Sequence, residues 1–192
     1  MYENEKNSLR DTLKAKRSEL NTEFKQQAAA SITKCIQSLE VYKEAKHIAL
    51  YQAFRGEVDL TPLWHASINL EKTCYFPTLN EDKTLSFIPA SHDTLWFKNK
   101  YGILEPDVGE PDLIDIGDLD ILFAPLLGFD ANGNRLGMGA GYYDRTLAGV
   151  KPQLLAGIAY DFQKIATLHP NDWDVPLDLT ITERKIYWSK KT

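Results

Sequence analysis

The chain has 192 residues, of which 43% are hydrophobic and 26% are charged, and its formal net charge is −5. This composition is typical of a globular protein with one continuous core, and we expect a single domain over residues 1–192. The acidic balance excludes a global basic field that would attract nucleic acid. No run of about 18 apolar residues occurs, so we expect no membrane-spanning segment.

The two cysteines and the first residues bear on the compartment. Cys35 and Cys74 form no CxxC pair, which is typical of a reducing compartment. The charged segment 1–17 lacks the apolar stretch of a signal peptide. We therefore expect a cytoplasmic monomer that acts on a small molecule and has neither nucleic-acid nor membrane partners.

Two helices are predicted at the start of the chain. In the first, Leu9, Leu13 and Leu20 form an apolar stripe between charged residues. In the second, apolar residues recur at helical spacing over 24–39, and Asn21 is a suitable N-cap.

Short, nearly continuous apolar runs follow these helices, and their length suits strands that are buried on both faces of a parallel sheet. The runs are Ile48–Ala53, Cys74–Phe76, Ile121–Leu127 and Leu154–Tyr160.

Helices and one hairpin are predicted between the strands. Thr61 and Pro62 are typical of an N-cap followed by proline, which predicts a helix through Leu70. Further short helices are predicted at 142–147 and 161–168, and a turn at 80–83 would join the strand at 74–76 to 85–88 in an antiparallel hairpin. The expected fold class is α/β: a single three-layer α/β/α domain with a mostly parallel central sheet, two N-terminal helices and a small antiparallel portion.

A glycine-rich loop lies between the strand run at 121–127 and the helix predicted at 142. Gly137, Gly139 and Gly141 stand at alternate positions, where the missing Cβ atoms would let backbone N–H groups converge on an anion. Arg135 could donate to phosphate oxygens, and Asp144 could hold Mg²⁺. Judged on its glycines alone, the loop is more typical of a tight strand–helix corner than of a phosphate site. It is neither a Walker A loop nor the usual Rossmann fingerprint.

The complete string is more specific than its glycines. Residues 135–145 read Arg-Leu-Gly-x-Gly-x-Gly-Tyr-Tyr-Asp-Arg, which closely resembles the signature of the 5-formyltetrahydrofolate cyclo-ligases, also called methenyltetrahydrofolate synthetases. Further segments resemble that family in the same order along the chain. They are Lys6–Arg10, Gly56–Asp59, Trp96–Phe97, Gly102–Pro106, Val175–Asp178 and Thr182–Glu183.

The resemblance implies a reaction in which ATP and Mg²⁺ serve to convert 5-formyltetrahydrofolate, possibly polyglutamylated, to 5,10-methenyltetrahydrofolate, with release of ADP and phosphate. Lys6, Arg135 and Tyr142 would take part in catalysis, and Asp144 and Asp178 would bind the metal. The ATP-binding positions would be Lys6, Arg10, Arg135, Leu136, Gly137, Met138, Gly139, Ala140, Gly141, Tyr142 and Tyr143. Without the resemblance, Lys6 and Arg10 would be interpreted as solvated charges on one helical face.

The same resemblance implies a folate site. Its residues would be Phe54, Glu57, Asp59, Met138, Gly139, Ala140, Gly141 and Tyr142. From the pattern alone, Glu57 and Asp59 are equally typical of turn acids that cap the following helix, and Trp96 is more typical of the core than of a ligand pocket. Met138 and Ala140 stand where many relatives carry a basic residue, and Leu60 stands where relatives often have threonine.

Two other functions stay open from the sequence. One is a folate- or nucleotide-binding protein without turnover. The other is a different α/β enzyme, such as a sugar-phosphate isomerase or CoA transferase, that uses no ATP. For the cyclo-ligase interpretation, the loops 56–59 and 135–144 should line one cleft at the carboxyl ends of the strands.

Overall fold

The computed structural model describes residues 2–109 and 112–190. The helices among them are α1 (Tyr2–Ser18), α2 (Thr22–Gln37), α3 (Glu40–Glu44), α4 (Thr61–Asn69) and α5 (Tyr142–Thr146). The strands are β1 (His47–Ala49), β2 (Thr73–Leu79), β3 (Leu85–Pro89), β4 (Leu95–Lys98), β5 (Leu104–Asp107), β6 (Ile121–Pro125), β7 (Gly128–Phe129), β8 (Arg135–Leu136), β9 (Leu154–Ile158), β10 (Leu179–Ile181) and β11 (Ile186–Trp188). Single 3-10 turns occupy Ile116–Asp118 and Asp161–Gln163.

Seven strands form the central sheet, in the order β11-β10-β9-β6-β1-β2-β3. The pairs β2–β1, β1–β6, β6–β9 and β9–β10 are parallel. Both edge strands pair antiparallel, β3 with β2 and β11 with β10. The predicted α/β fold with a mostly parallel sheet and a small antiparallel portion is confirmed, as is the hairpin after β2.

Alternate residues of the strands face two separate apolar clusters. Ile48 of β1 belongs to the cluster that also contains Ile32 of α2 and Leu63 of α4. The next residue, Ala49, belongs to the opposite cluster with Leu147, which ends α5. Strands that are buried on both faces explain the continuous apolar runs in the sequence. The second layer is the thinner one, because α5 is a single short helix.

The predicted N-terminal helices are both present, and their ends have local causes. The Asn21 side chain accepts a hydrogen bond from the backbone N–H of Phe24 at 2.8 Å, so Asn21 is the N-cap of α2 as predicted. α1 ends at Ser18, so Leu20 lies beyond the helix that it was expected to extend, although it still packs against the core. Within the described ranges, no helix combines the length and apolar character that crossing a membrane requires.

Two local predictions were wrong. Thr61 is the first residue of α4 rather than its N-cap, and its backbone N–H donates to the Asp59 carboxylate at 2.9 Å. The helix predicted at 161–168 stops after one 3-10 turn, because Lys164 is extended and the N–H of Ile165 donates to the Phe129 carbonyl at 2.8 Å. That bond ties the segment to β7 instead of continuing a helix.

The turn between β7 and β8 is organised by a buried carboxylate. Asp130 accepts hydrogen bonds from the backbone N–H groups of Asn132, Asn134 and Leu168. Gly133 completes this turn with a φ of +84°, and its carbonyl accepts from the N–H of Leu177 at 2.9 Å. The turn therefore fixes where Arg135, at the start of β8, enters the glycine loop.

We expect Gly133→Ala to destabilise the protein more than Gly102→Ala. Both glycines have nearly the same positive φ, +84° and +81°, so the backbone strain is matched. A Cβ on Gly133 would overlap the Leu177 carbonyl oxygen and the Ser189 hydroxyl, whereas no atom lies within 4 Å of a Cβ on Gly102. Urea denaturation should give a free energy of unfolding about 1–3 kcal/mol lower for Gly133→Ala than for Gly102→Ala. Equal values would show that the turn relaxes around the methyl group.

Candidate active site

A cavity of about 780 Å³ opens at the carboxyl ends of the central strands. Tyr51 and Gln52, just beyond β1, and Pro125 and Leu126, at the end of β6, line its floor. β1 and β6 are adjacent and parallel, and the chain passes from β1 to β2 on the other side. The cavity thus lies at the point where the strand order reverses, which is where open α/β sheets bind their ligands.

The glycine loop forms one wall of the cavity. All residues from Arg135 to Arg145 line it. Gly139 and Gly141 have φ values of +101° and +70°, a region that other residues rarely adopt. Gly141 immediately precedes α5, which has only five residues, so the helix dipole expected at this end is small.

α1 places two cations at the glycine loop. Lys6 and Arg10 both line the cavity, so the prediction that they share one helical face is confirmed. The Arg10 Nε–H donates to the Gly137 carbonyl at 3.1 Å, and its Nη1 lies 2.9 Å from the Glu3 carboxylate. The hydrogen bond from Arg10 lowers the pKa of Glu3. The Lys6 ammonium lies 3.9 Å from Asp174, a longer pairing than the one that Arg10 makes.

Arg135 and Asp144 form a close pair behind the loop. The Arg135 side chain is only 5% exposed, and its Nη2 lies 2.5 Å from the Asp144 carboxylate. Its Nη1 donates to the Val175 carbonyl, and the Val175 N–H donates back to Asp144 at 3.2 Å. Arg135 thereby orients Asp144 and attaches the segment around 175 to the glycine loop, and only part of its guanidinium faces the cavity.

The two acids predicted to bind metal lie in different places. Asp144 lines the cavity, whereas Asp178 does not. The Asp178 carboxylate accepts from the N–H of Leu155 at 2.8 Å, and its own N–H donates to the Leu155 carbonyl at 2.9 Å, so it joins β9 to β10. Asp174, which the sequence did not single out, lines the cavity instead.

The donor set fits magnesium better than a metal held by protein alone. Among the residues that the structure describes, no group of three or more His, Cys, Asp or Glu side chains could hold an ion. Mg²⁺ typically keeps several waters and binds through one or two carboxylates together with substrate phosphates. Asp144 and Asp174 both line the cavity, as do Lys6 and Arg10, so the side chains present fit a magnesium ion of that kind.

Glu57 lines the cavity beside Arg17, near the C-terminal end of α1. Its Oε2 accepts from the N–H of Phe54 at 3.0 Å, and its Oε1 lies 3.9 Å from Nη1 of the buried Arg17. Burial raises the pKa of Glu57 to about 7, although Arg17 and the Phe54 N–H act in the opposite direction. Near neutral pH this carboxyl group can therefore accept or donate a hydrogen bond.

The predicted folate residues are only partly brought together. Phe54, Glu57 and the loop residues line the cavity, but Asp59 does not, since its carboxylate caps α4. The interpretation as a turn acid that caps the following helix therefore holds for Asp59, whereas Glu57 lines the cavity. Trp96 is half-buried and packs edge-on against Trp64 and Phe76 of the core, as its residue type alone indicated. The loops 56–59 and 135–144 share the cleft through Glu57 rather than along their full length.

The β4–β5 hairpin supplies cavity residues that the sequence analysis missed. The Tyr101 hydroxyl lies 3.4 Å from that of Tyr142, and this hydrogen bond is the main cause that raises the pKa of Tyr142. Glu105 is buried and accepts from the Asn99 side chain at 2.7 Å and from the N–H of Leu79 at 3.2 Å. Residues 102–106 resemble a segment of the family, but that resemblance implied no function for them. It was the one signal in the sequence that could have pointed to this hairpin.

Glu57 should make stability depend on pH. Its pKa is about 7 in the folded protein against an ordinary value of 4.5, so the folded state keeps a proton that the unfolded chain releases. The free energy of unfolding should therefore fall as the pH rises through this interval and level off above it. Glu57→Gln should remove that fall, which amounts to at most about 3 kcal/mol.

Urea denaturation at about pH 5 and about pH 8 measures this effect. Asp11→Asn is the control, because Asp11 is an exposed acid of α1, and its pH dependence should match that of the unaltered protein. If Glu57→Gln keeps the full pH dependence as well, the carboxyl group of Glu57 titrates near its ordinary value.

Comparison with known proteins agrees with this geometry. A family model described as the 5-formyltetrahydrofolate cyclo-ligase family matches residues 2–183. The 5-formyltetrahydrofolate cyclo-ligase of Haemophilus influenzae is 36% identical over 181 residues, which cover 92% of this chain and 97% of that protein. The mouse protein of the same name is 27% identical, with 93% of each chain covered.

Solved structures give the same result. The 5,10-methenyltetrahydrofolate synthetase of Aquifex aeolicus, an NMR structure, superposes with a TM-score of 0.85 at 34% identity, over 97% of this chain and 94% of that one. The synthetase of Mycoplasma pneumoniae superposes with a TM-score of 0.75 at 30% identity, over 93% and 98% of the two chains.

Proposed function

Because the chain belongs to the 5-formyltetrahydrofolate cyclo-ligase family and is an enzyme of that class, we propose that it uses ATP and Mg²⁺ to convert 5-formyltetrahydrofolate to 5,10-methenyltetrahydrofolate. The observation that carries the proposal is one cavity with two chemically different ends. Lys6, Arg10, the glycine loop and Asp144 line one part of it, and Glu57, whose carboxylate accepts from the Phe54 N–H, lines another. Phosphoryl transfer to a folate requires a surface that binds phosphate next to a surface that binds the pterin.

The phosphate end would hold the nucleotide. Lys6 and Arg10 supply positive charge from one side, and the backbone of Gly137–Gly141 lies on the other. Asp144 would hold Mg²⁺ between the phosphates, while Arg135 keeps its carboxylate in place. Asp174 is available as a second acid, and we assign no metal contact to Asp178.

The folate end would hold the pterin. Glu57 can accept hydrogen bonds from ring N–H groups when it is ionised, and its burial favours such a ligand over water. Tyr142 also lines the cavity, and its ring and hydroxyl would contact the reacting formyl group. Its raised pKa keeps the phenol protonated and able to donate.

ATP supplies the driving force, since the formyl oxygen is a poor leaving group until it is phosphorylated. Transfer of the γ-phosphoryl group to that oxygen breaks the bond to ADP and activates the carbon. N10 then attacks the carbon and loses its proton, and the carbon–oxygen bond breaks to release phosphate. Lys6 and Arg10 would neutralise the charge that moves during both steps, and such stabilisation of developing charge is the main work of phosphoryl-transfer sites.

The direct test is a spectrophotometric assay with 5-formyltetrahydrofolate, ATP and Mg²⁺ that follows the near-ultraviolet absorbance of the methenyl product. Signal that requires both ATP and metal supports the proposal. Folded protein that binds folate without turnover would favour a sequestering protein, and protein that binds no folate would refute the assignment of substrate. The cytoplasmic location and the monomeric state stay predictions.

Asp144→Asn and Asp178→Asn should separate the two acids. We expect Asp144→Asn to lower kcat/KM by about 100-fold or more, because the metal loses its carboxylate in the cavity. Both variants should lower the melting temperature, since Asp144→Asn leaves Arg135 without its partner and Asp178→Asn disturbs the contact between β9 and β10. Only Asp178→Asn should leave the dependence on Mg²⁺ unchanged. If Asp178→Asn needs a higher Mg²⁺ concentration for activity, Asp178 takes part in binding the metal.

Lys6→Met should weaken the binding of ATP without weakening the binding of the folate. Loss of one charged contact to phosphate should raise KM for ATP by about 10-fold or more and leave KM for the folate nearly unchanged. Lys14→Met is the matched control, because Lys14 lies on the same helix, does not line the cavity and pairs with Asp11 at 3.6 Å. Equal effects of the two variants on ATP would mean that Lys6 contributes only general surface charge.

A further inference from the structure

One aromatic side chain of the cavity has no place in the function described so far. Trp173 lines the cavity, yet 70% of its surface is exposed. Trp64 and Trp96, by contrast, pack against each other and against Phe76 in the core. An indole is a large apolar group with a flat face, so exposing it at the edge of a ligand cavity leaves that face available for a planar ligand.

The segment that carries Trp173 is held in place from both sides. The N–H of Asn171 donates to the Asp174 carboxylate at 2.8 Å, and the N–H of Asp174 donates to the Asn171 carbonyl at 3.1 Å. Beyond this turn, Val175 makes its two hydrogen bonds to Arg135 and Asp144. The indole is therefore presented by a fixed turn, so little order would have to be gained when a ligand stacks on it.

The position of the turn assigns Trp173 to one end of the cavity. Its neighbour Asp174 lies 3.9 Å from the Lys6 ammonium, and Val175 contacts the carboxylate of Asp144. The proposed phosphate site thus lies next to the turn that carries Trp173. The folate end is marked by Glu57 and Phe54, which the loop after β1 supplies.

We propose that the indole of Trp173 stacks on the purine ring of the bound nucleotide and is the main base contact of the site. The inference rests on the proposed use of ATP. With the triphosphate at Lys6 and Arg10, the base is the planar part of the ligand that can reach the exposed indole. Stacking recognises a π-face rather than hydrogen-bonding edges, so Trp173 should favour purine nucleotides over free polyphosphate and discriminate little between adenine and guanine.

Direct binding tests the inference without turnover. Isothermal titration with a non-hydrolysable ATP analogue in Mg²⁺ should show about 10-fold or more weaker binding for Trp173→Ala, and Trp173→Phe should recover part of the loss. Inorganic tripolyphosphate, which has the charges but no base, should bind both proteins alike. The indole fluorescence that the analogue quenches should be missing from Trp173→Ala.

Trp188→Ala is the matched control. Trp188 is 61% exposed, similar to Trp173, but lies on edge strand β11 outside the cavity. This variant should bind the analogue as the unaltered protein does. Because both side chains are largely exposed, neither substitution should prevent folding, which circular dichroism checks.

The outcomes separate this inference from the proposed function. If the unaltered protein turns over 5-formyltetrahydrofolate with ATP but Trp173→Ala binds the analogue normally, stacking is overturned and the proposed function stands. An increase in KM for the folate alone would assign the indole to the folate and also overturn it. Equal loss of analogue and tripolyphosphate binding would show that the substitution disturbs Asp174 and the cations rather than a base contact. Turnover without any nucleotide would overturn both proposals.

Discussion

The arrangement of the cavity depends on the ion pair between Arg135 and Asp144. These residues lie at opposite ends of the glycine loop, and both hold Val175 through its backbone. Removing one member of such a poorly exposed pair leaves an uncompensated charge and generally costs several kcal/mol. The pair therefore closes the loop and fixes the turn at 171–174 at the same time. This one contact positions the glycine loop, the carboxylate of Asp144 that we propose to bind Mg²⁺, and the turn that carries Trp173.

The ion pair between Arg135 and Asp144 also limits the ways in which the glycine loop could bind phosphate. Arg135 had been expected to donate directly to phosphate oxygens, but it gives hydrogen bonds to Asp144 and Val175. Lys6 and Arg10 of α1 add positive charge to the cavity, which Arg55 and Arg145 also line. The cations of α1 would compensate for the missing charge at Met138 and Ala140, which are uncharged positions of the loop. A loop with little charge of its own can still bind anions when a neighbouring helix provides the cations.

The parts of the site that follow a regular period could be predicted from the sequence. Lys6 and Arg10 are four residues apart, so their common face follows from helix geometry, and the strand runs follow from burial on both faces of the sheet. The loop after β1 has no period, so nothing in the sequence could show that Glu57 turns inward while Asp59 caps α4. Short segments such as the β4–β5 hairpin lacked both a long apolar run and a clear alternation. Their place beside the cavity is set by tertiary contacts such as the one between Glu105 and Leu79.

α1 connects the two ends of the cavity through a spacing that helix geometry explains. Lys6, Arg10 and Arg17 are separated by four and seven residues, so all three point to the same side of the helix. Lys6 and Arg10 face the phosphate end, and Arg17 donates to the carbonyls of Arg55 and Leu126 beside Glu57. At 1.5 Å per residue, Lys6 and Arg17 are about 16 Å apart along the axis. A change in helix register between them would turn either Lys6 and Arg10 away from the cavity or Arg17 away from Glu57. The same helix would therefore couple the proposed nucleotide site to the proposed folate site.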